Sequence, residues 1–214
     1  MNPRITLISA VALLALAHTP ALAQGSGASG APAGNHRFEV SPFFGYRFGG
    51  DFEDYVTGET YSIQDGSTFG LMIDLPLMKT GVRTELLWCR QDSSLDLRGA
   101  ELADRVSLTI DSFELGAIAE DPRDRFVEYI SAHVGLTHFS ADGYGSDTRV
   151  NLSAAVGAKF FVSPRVALKA EVRAFCTFVD GDATFIFADN ILHITYAGST
   201  MWQGQATVGL SMMF

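Results

Sequence analysis

The sequence is short of basic residues, with 15 Lys+Arg against 24 Asp+Glu and a formal net charge of −9. A nucleic-acid partner needs a basic patch to neutralise its phosphates, so this balance argues against that class. Cysteine is scarce, with Cys89 and Cys176 alone. No His, Cys or Asp spacing matches a zinc site. No glycine loop has phosphate-binding spacing, because the glycines follow strand pleats and turns. No cofactor and no metal are therefore expected. After the first 23 residues there is no long uncharged apolar run. A membrane-spanning helix takes about 20 such residues, so none is expected.

What is present begins with a secretory signal. Arg4 supplies the positive end, residues 5–17 a short apolar core, and Ala21-Leu22-Ala23 a small-x-small cleavage site before Gln24. Cleavage after residue 23 removes one Arg and no acid, leaving a charge of 14 − 24 = −10. Residues 24–36 (QGSGASGAPAGNH) hold Gly, Ser, Ala and Pro without pattern and read as a flexible linker. The domain proper is then 37–214.

From residue 37 onward the chain alternates. Side chains on a strand point to opposite faces in turn, so alternation of apolar with small or polar residues marks a strand with one apolar face. Eight stretches fit: 38–48, 67–75, 82–91, 106–119, 126–139, 148–162, 166–179 and 202–214. In the last, Trp202, Gly204, Ala206, Val208, Leu210, Met212 and Phe214 share one face, and the chain ends on an aromatic. In the fourth, Val106, Leu108 and Ile110 share a phase opposite to that of Phe113, Leu115 and Ala117, which predicts a β-bulge near Asp111-Ser112. Connections between strands alternate between long and short. Residues 183–188 and 191–197 of the last connection predict a short hairpin, standing above the barrel or, by slight preference, folding over its lumen as a lid.

Alternation alone fits two architectures. A soluble eight-stranded barrel keeps its apolar face inside, whereas an outer-membrane barrel turns it to lipid. Three signals favour the second. Loop lengths alternate. Several strands reach the 9–11 residues, roughly, that cross a bilayer at a tilt. The polar face is rich in glycine, which suits a narrow lumen. Aromatics also gather at strand ends: Tyr46, Phe48, Trp88, Phe178 and Trp202 at one side, Phe38, Phe126 and Phe214 at the other. The predicted fold is all-β, an eight-stranded antiparallel up-and-down transmembrane β-barrel.

The inward phase then carries Glu39, Asp74, Glu85, Glu114 and Glu171 with Arg47, Arg83, Lys159, Lys169 and Arg173. Five acids facing five bases predict a salt-bridge network that plugs the lumen, since buried charges persist only when paired. Cys89 is inward and Cys176 outward on distant strands, so two free thiols are expected rather than a disulfide.

The signal, the stretch PFFGYRFGG (42–50) and the closing WQGQATVGLSMMF resemble the eight-stranded outer-membrane group that includes the OmpA transmembrane domain and opacity-type surface proteins. The resemblance covers all of the chain after the linker. Small barrels of this kind include adhesins, structural anchors and enzymes; the expectation for this chain is a non-enzymatic, monomeric protein of the cell outer membrane serving surface structure, adhesion or envelope integrity. It also implies contact with outer-membrane lipid and lipopolysaccharide, and Phe214 as the recognition end for barrel-assembly machinery. The contrasting expectation is a hydrolase. His138 and Ser140 resemble the His-x-Ser-Asn motif of the lipid A deacylases, eight-stranded barrels themselves. Ala141 stands at the Asn position, however, and Asp142 is the nearby carboxylate in place of that family's glutamate. The connections expected outside are acidic (Asp51, Glu53, Asp54 and Glu59; Asp92, Asp96, Glu101 and Asp104; Asp180, Asp182 and Asp189). Solvation explains them, while bridging of divalent cations to lipid phosphates, or a surface ligand, is the functional expectation.

Overall fold

The computed structural model describes residues 10–12, 38–53, 60–76, 82–96, 106–123, 125–141, 143, 145–188 and 191–214. The linker, most of the signal, and Asp54, Glu59, Glu101, Asp104, Asp142 and Asp189 lie outside the described residues. Eight strands form the wall: β1 Glu39–Gly49, β2 Gly66–Pro76, β3 Val82–Asp96, β4 Val106–Arg123, β5 Phe126–Ala141, β6 Gly145–Ser163, β7 Val166–Ala188 and β8 Ile191–Met213. Each pairs antiparallel with its sequence neighbours, and β8 returns to β1 through pairs from Gln203↔Gly49 to Met213↔Glu39. The sheet is therefore closed, with no free edge to template aggregation.

Following partners around the ring from Glu39 leads through Asp74, Glu85, Gly116, His133, Ser153, Phe175 and Gln203 to Gly49. The path climbs ten residues of β1 in one circuit. Eight strands with that stagger tilt by roughly 40° to the barrel axis. One end of the barrel holds the tight turns and both ends of the wall; it is called the turn end here, and the other the loop end. At the turn end the Phe214 amide donates to the Phe38 carbonyl (2.9 Å), and the two rings lie 6.1 Å apart.

Which face points out decides between the two architectures. Apolar side chains are exposed all round the wall, among them Phe44 (60%), Val156 (60%), Trp202 (62%) and Val208 (65%). Polar and charged ones fill the inside. A wall of this kind in water would expose far more contiguous apolar area than a soluble monomer tolerates. No helix among the described residues is long and apolar enough to cross a membrane; crossing falls to the strands.

Three expectations need correction. The bulge near Asp111-Ser112 does not exist: β4 pairs without interruption with both β3 and β5. Leu108 and Ile110 share the inward phase of Ser112 and Glu114, and both are buried. The hydrophobicity switch marks the level at which the lumen turns apolar, not a slip in register. A true interruption lies between Phe178 and Asp180 on β7, and Phe178, expected in the outer aromatic girdle, is buried there. The last connection continues the barrel hairpin, with pairs running from Asp180↔Ser199 out to Ala188↔Ile191. Among the residues whose side chains are described, the one found over the lumen mouth belongs to the first connection. There Asp51–Glu53 pairs with residues 60–62, Ser62 and Ile63 pair with Asp96 and Leu95 of β3, and Ile63 is buried.

Cys89 is buried in the lumen, Cys176 is half-buried on the outer face, and both are free. A lipid-soluble maleimide should label Cys176 in the folded protein, whereas Cys89 should react only after unfolding. Intact mass would record one adduct before denaturation and two after; two adducts on the folded protein would contradict the assigned faces.

Candidate functional site

The interior is assembled by strand phase. β1 contributes Glu39 and Arg47, β2 Asp74, β3 Arg83 and Glu85, β4 Glu114, β6 Lys159, and β7 Lys169, Glu171 and Arg173. All ten are buried, none more than 6% exposed. Two nodes join nine of them. Toward the turn end, Lys159 Nζ lies 2.8 Å from Glu39, 3.2 Å from Asp74 and 2.7 Å from Glu120. Arg83 Nη2 lies 3.7 Å from Glu39 and donates to the Asp74 carbonyl. In the middle, Glu85 accepts from Lys169 (2.9 Å) and Arg173 (3.1 Å). Arg173 also donates to Glu171 (2.8 Å) and lies 3.6 Å from Glu114. Glu114 accepts from Asn151 (2.7 Å) and from Ser153.

His133 and Tyr129 complete the middle node. Arg173 Nη1 lies 2.7 Å from His133 Nδ1 and can only donate, so Nδ1 accepts and the ring proton sits on Nε2. That Nε2 is 3.0 Å from Glu85, a close contact out of line for a hydrogen bond. Tyr129 donates to Glu171 (3.0 Å), lying flat across Gly157, where any Cβ would collide with its ring. Arg47 stands apart from the acids. Its Nε donates to Gln205 (2.8 Å), its Nη2 to Cys89 Sγ (2.8 Å), and its guanidinium covers the Phe175 ring at 4.0 Å.

Sequence reasoning missed two members. Glu120 and Tyr129 both lie in the inward phases of β4 and β5, but the alternation pattern ends before Glu120 and puts it in the turn. Glu39, Asp74 and Glu120 together have ligand spacing for a cation, their oxygens lying within 4.8 Å of one another. The Lys159 ammonium already occupies that position as a covalently tethered cation.

Apolar layers bound the charges. Val127, Phe161, Ala167 and Met213 pack together at the turn end. Phe43, Met72, Leu87, Cys89 and Phe175 form a layer beside the middle node. Ile63, Leu108, Ile110 and Met201, with Phe139, Ala141 and Val179 against them, close the loop end.

His138 and Ser140 stand on the outer face of β5 near the loop end. The His138 ring bonds through Nδ1 to Thr148 Oγ1 of β6 (2.8 Å). A hydrolytic serine needs the histidine as its base and a third group, commonly a carboxylate, to orient that histidine. The carboxylate that register sets beside His138 is Asp111 of β4, to which no local sequence pattern points. Both of its oxygens are taken by Arg90, at 2.9 and 2.8 Å, and Trp88 Nε1 donates to it as well (3.3 Å). Among the described residues the set needed for hydrolysis is not brought together; Asp142, the carboxylate named from the sequence, lies outside them.

Solved structures share the whole wall. Neisserial surface protein A is 16% identical, with 83% of this chain matched to 97% of that one at a TM-score of 0.56. A major outer membrane protein from Thermus thermophilus is 10% identical, with 83% matched to 98% at 0.52. This chain has the fold of the small outer-membrane β-barrels. No protein-family model matches the sequence, and no curated protein sequence does.

For an outer-membrane barrel the two faces have opposite requirements. The wall must be apolar toward lipid, and the interior can hold charge only where each ion is satisfied. Removing one partner of a buried pair leaves an uncompensated ion and costs about 3–5 kcal/mol. Lys159→Ala, which leaves three carboxylates crowded without a cation, should therefore lower stability by about that amount. Urea unfolding in detergent micelles, followed by the shift between folded and unfolded bands on gels, measures it; a change under about 1 kcal/mol would contradict the assignment.

Proposed function

We propose that this protein is a non-enzymatic surface barrel: a rigid, non-conducting anchor in the outer membrane that presents its loop-end hairpins outside, for adhesion or envelope integrity. The observation that carries this reading is the lumen itself, where ion-paired side chains lie between apolar layers across the full width of an eight-stranded ring. A barrel of this size is only wide enough to be filled by side chains. The proposal includes residues 1–23 as a cleaved export signal, the turn end and Phe214 facing the periplasm and the barrel-assembly machinery, and lipopolysaccharide as the lipid neighbour outside.

Three measurements test it. In planar bilayers the purified barrel should give no stable single-channel steps; large, regular steps would refute the plugged lumen. Mass spectrometry of lipid A from cells with and without expression should show the same acylation. Loss of an acyl chain, abolished by Ser140→Ala, would replace the anchor reading with hydrolysis through His138 and Ser140. Deleting Phe214 should reduce insertion of the barrel while leaving any inserted molecules normally folded. Unchanged insertion would remove the assembly role.

A further inference from the structure

This inference rests on the reading above, that outer-leaflet lipid surrounds the loop end. The outward side chains of β3–β6 form two consecutive rows in register. The first, Trp88, Phe113, Leu136 and Val150, is apolar. The next, one step toward the loop end, is Arg90, Asp111, His138 and Thr148, each the cross-strand partner of the one before. The stagger of the barrel makes this polar row rise as it crosses from β3 to β6. It therefore runs obliquely over the boundary at which hydrocarbon gives way to headgroups.

The row is built rather than merely wet. Asp111 is held on both oxygens by Arg90 and by the Trp88 indole, and its side chain is 12% exposed. That contact uses the Nε–Nη2 edge of the guanidinium. The Nη1 side is left over, on a side chain that is 42% exposed. Thr148 holds His138 by Nδ1, which leaves Nε2 as the ring's remaining hydrogen-bonding edge. Ser140 stands one step beyond His138 on the same side. Beneath lies an apolar floor, with Trp88 edge-on to Phe69 at 5.9 Å between ring centres. Arg90 and Asp111 cancel, so with His138 neutral the row carries no net charge. An anion gains from Arg90 without meeting an uncompensated carboxylate in this row; Asp92, in the next row with Ser140, also acts on Arg90, so the anion must approach from the His138 side, two strands away from Asp92.

A ligand matching all of this has acyl chains for the floor and a head with both a phosphate and sugar hydroxyl or amide groups. We propose that the row binds the phosphorylated amino-sugar headgroup of an outer-leaflet glycolipid. Arg90 holds a phosphate oxygen through its Nη1 edge, and His138 Nε2 and Ser140 Oγ hydrogen-bond the sugar. Asp111 and Thr148 are positioning residues that aim Arg90 and His138.

The full barrel in neutral detergent, titrated with lipid A and followed by native mass spectrometry, tests this. Lipid A should saturate one site, and Arg90→Gln and His138→Ala should each weaken it about tenfold, the size expected for one lost charge-assisted or well-aligned hydrogen bond. The double variant Arg90→Gln/Asp111→Asn, which leaves no unpaired ion, carries the test if Arg90→Gln alone does not fold. Arg165→Gln, at the turn end, should change nothing. Phosphatidylglycerol, which has the phosphate but no amino sugar, should bind at least about tenfold more weakly. The acyl-free diphosphorylated disaccharide should compete at high concentration. Equal binding by wild type and both row variants, equal binding of phosphatidylglycerol, or no competition by the disaccharide would overturn the proposal. Any of these with a non-conducting barrel and unaltered lipid A overturns the site alone. Conductance or deacylation would instead overturn the anchor reading.

Discussion

The contact on which the interior depends is the one that ties Glu85 on β3 to Lys169 and Arg173 on β7. These strands are four apart in a ring of eight, so the pairing runs straight across the lumen. Every other charged residue of the middle node is set by it. Arg173 reaches Glu85 only with its remaining nitrogens turned to Glu171, Ser153 and His133, and that contact in turn decides which His133 nitrogen carries the proton. An ion pair in a low-dielectric interior is a weak source of net stability, because both charges have lost their water. It is nonetheless a strong source of uniqueness. Shifting any strand by one residue would send these ions into lipid and apolar side chains into the lumen.

The same constraint accounts for the layering. Charges stripped of water are held most firmly where water stays out, and the apolar clusters at the turn end and loop end flank the nodes on either side. At the turn end the cluster is made by residues close to the tight turns, Val127, Phe161, Ala167 and Met213. At the loop end it needs Ile63, delivered by the first connection folding onto β3, where Gln64 accepts from Ser94 and Ser93. The loop-end cluster is therefore assembled from outside the wall, and it is the part of the interior that local opening of a loop would disturb first.

Much of this was legible in the sequence. Period-two alternation places all eight strands, and the ten charged residues that it turns inward are all buried, because in a closed wall parity fixes the face of a residue; Leu108, Ile110 and Phe178 are the positions where it turns an apolar side chain to the wrong face. What parity cannot provide is distance. It does not tell that Arg47 lies against Phe175 and Cys89 while the other bases find acids, since that depends on how the stagger aligns heights on opposite walls. The misplaced bulge at Asp111-Ser112 has a related cause. It assumes that apolar residues always face lipid, whereas Leu108 and Ile110 close the lumen. Asp111 escapes notice beside His138 because the pairing that joins them spans 27 residues of sequence. Comparison with solved barrels supports the architecture and leaves the role of the chain to its own side chains.

The central claim is that opposed charges across a sealed lumen hold this barrel in one register. A double-mutant cycle on Glu85→Gln and Lys169→Met, read from urea unfolding in lipid vesicles, tests it most directly. The account predicts that each single substitution is strongly destabilising, that the double is less so than their sum, and that the coupling is at least about 2 kcal/mol. Additive effects, with coupling near zero, would mean that the two side chains are hydrated independently and that the lumen is not sealed around them.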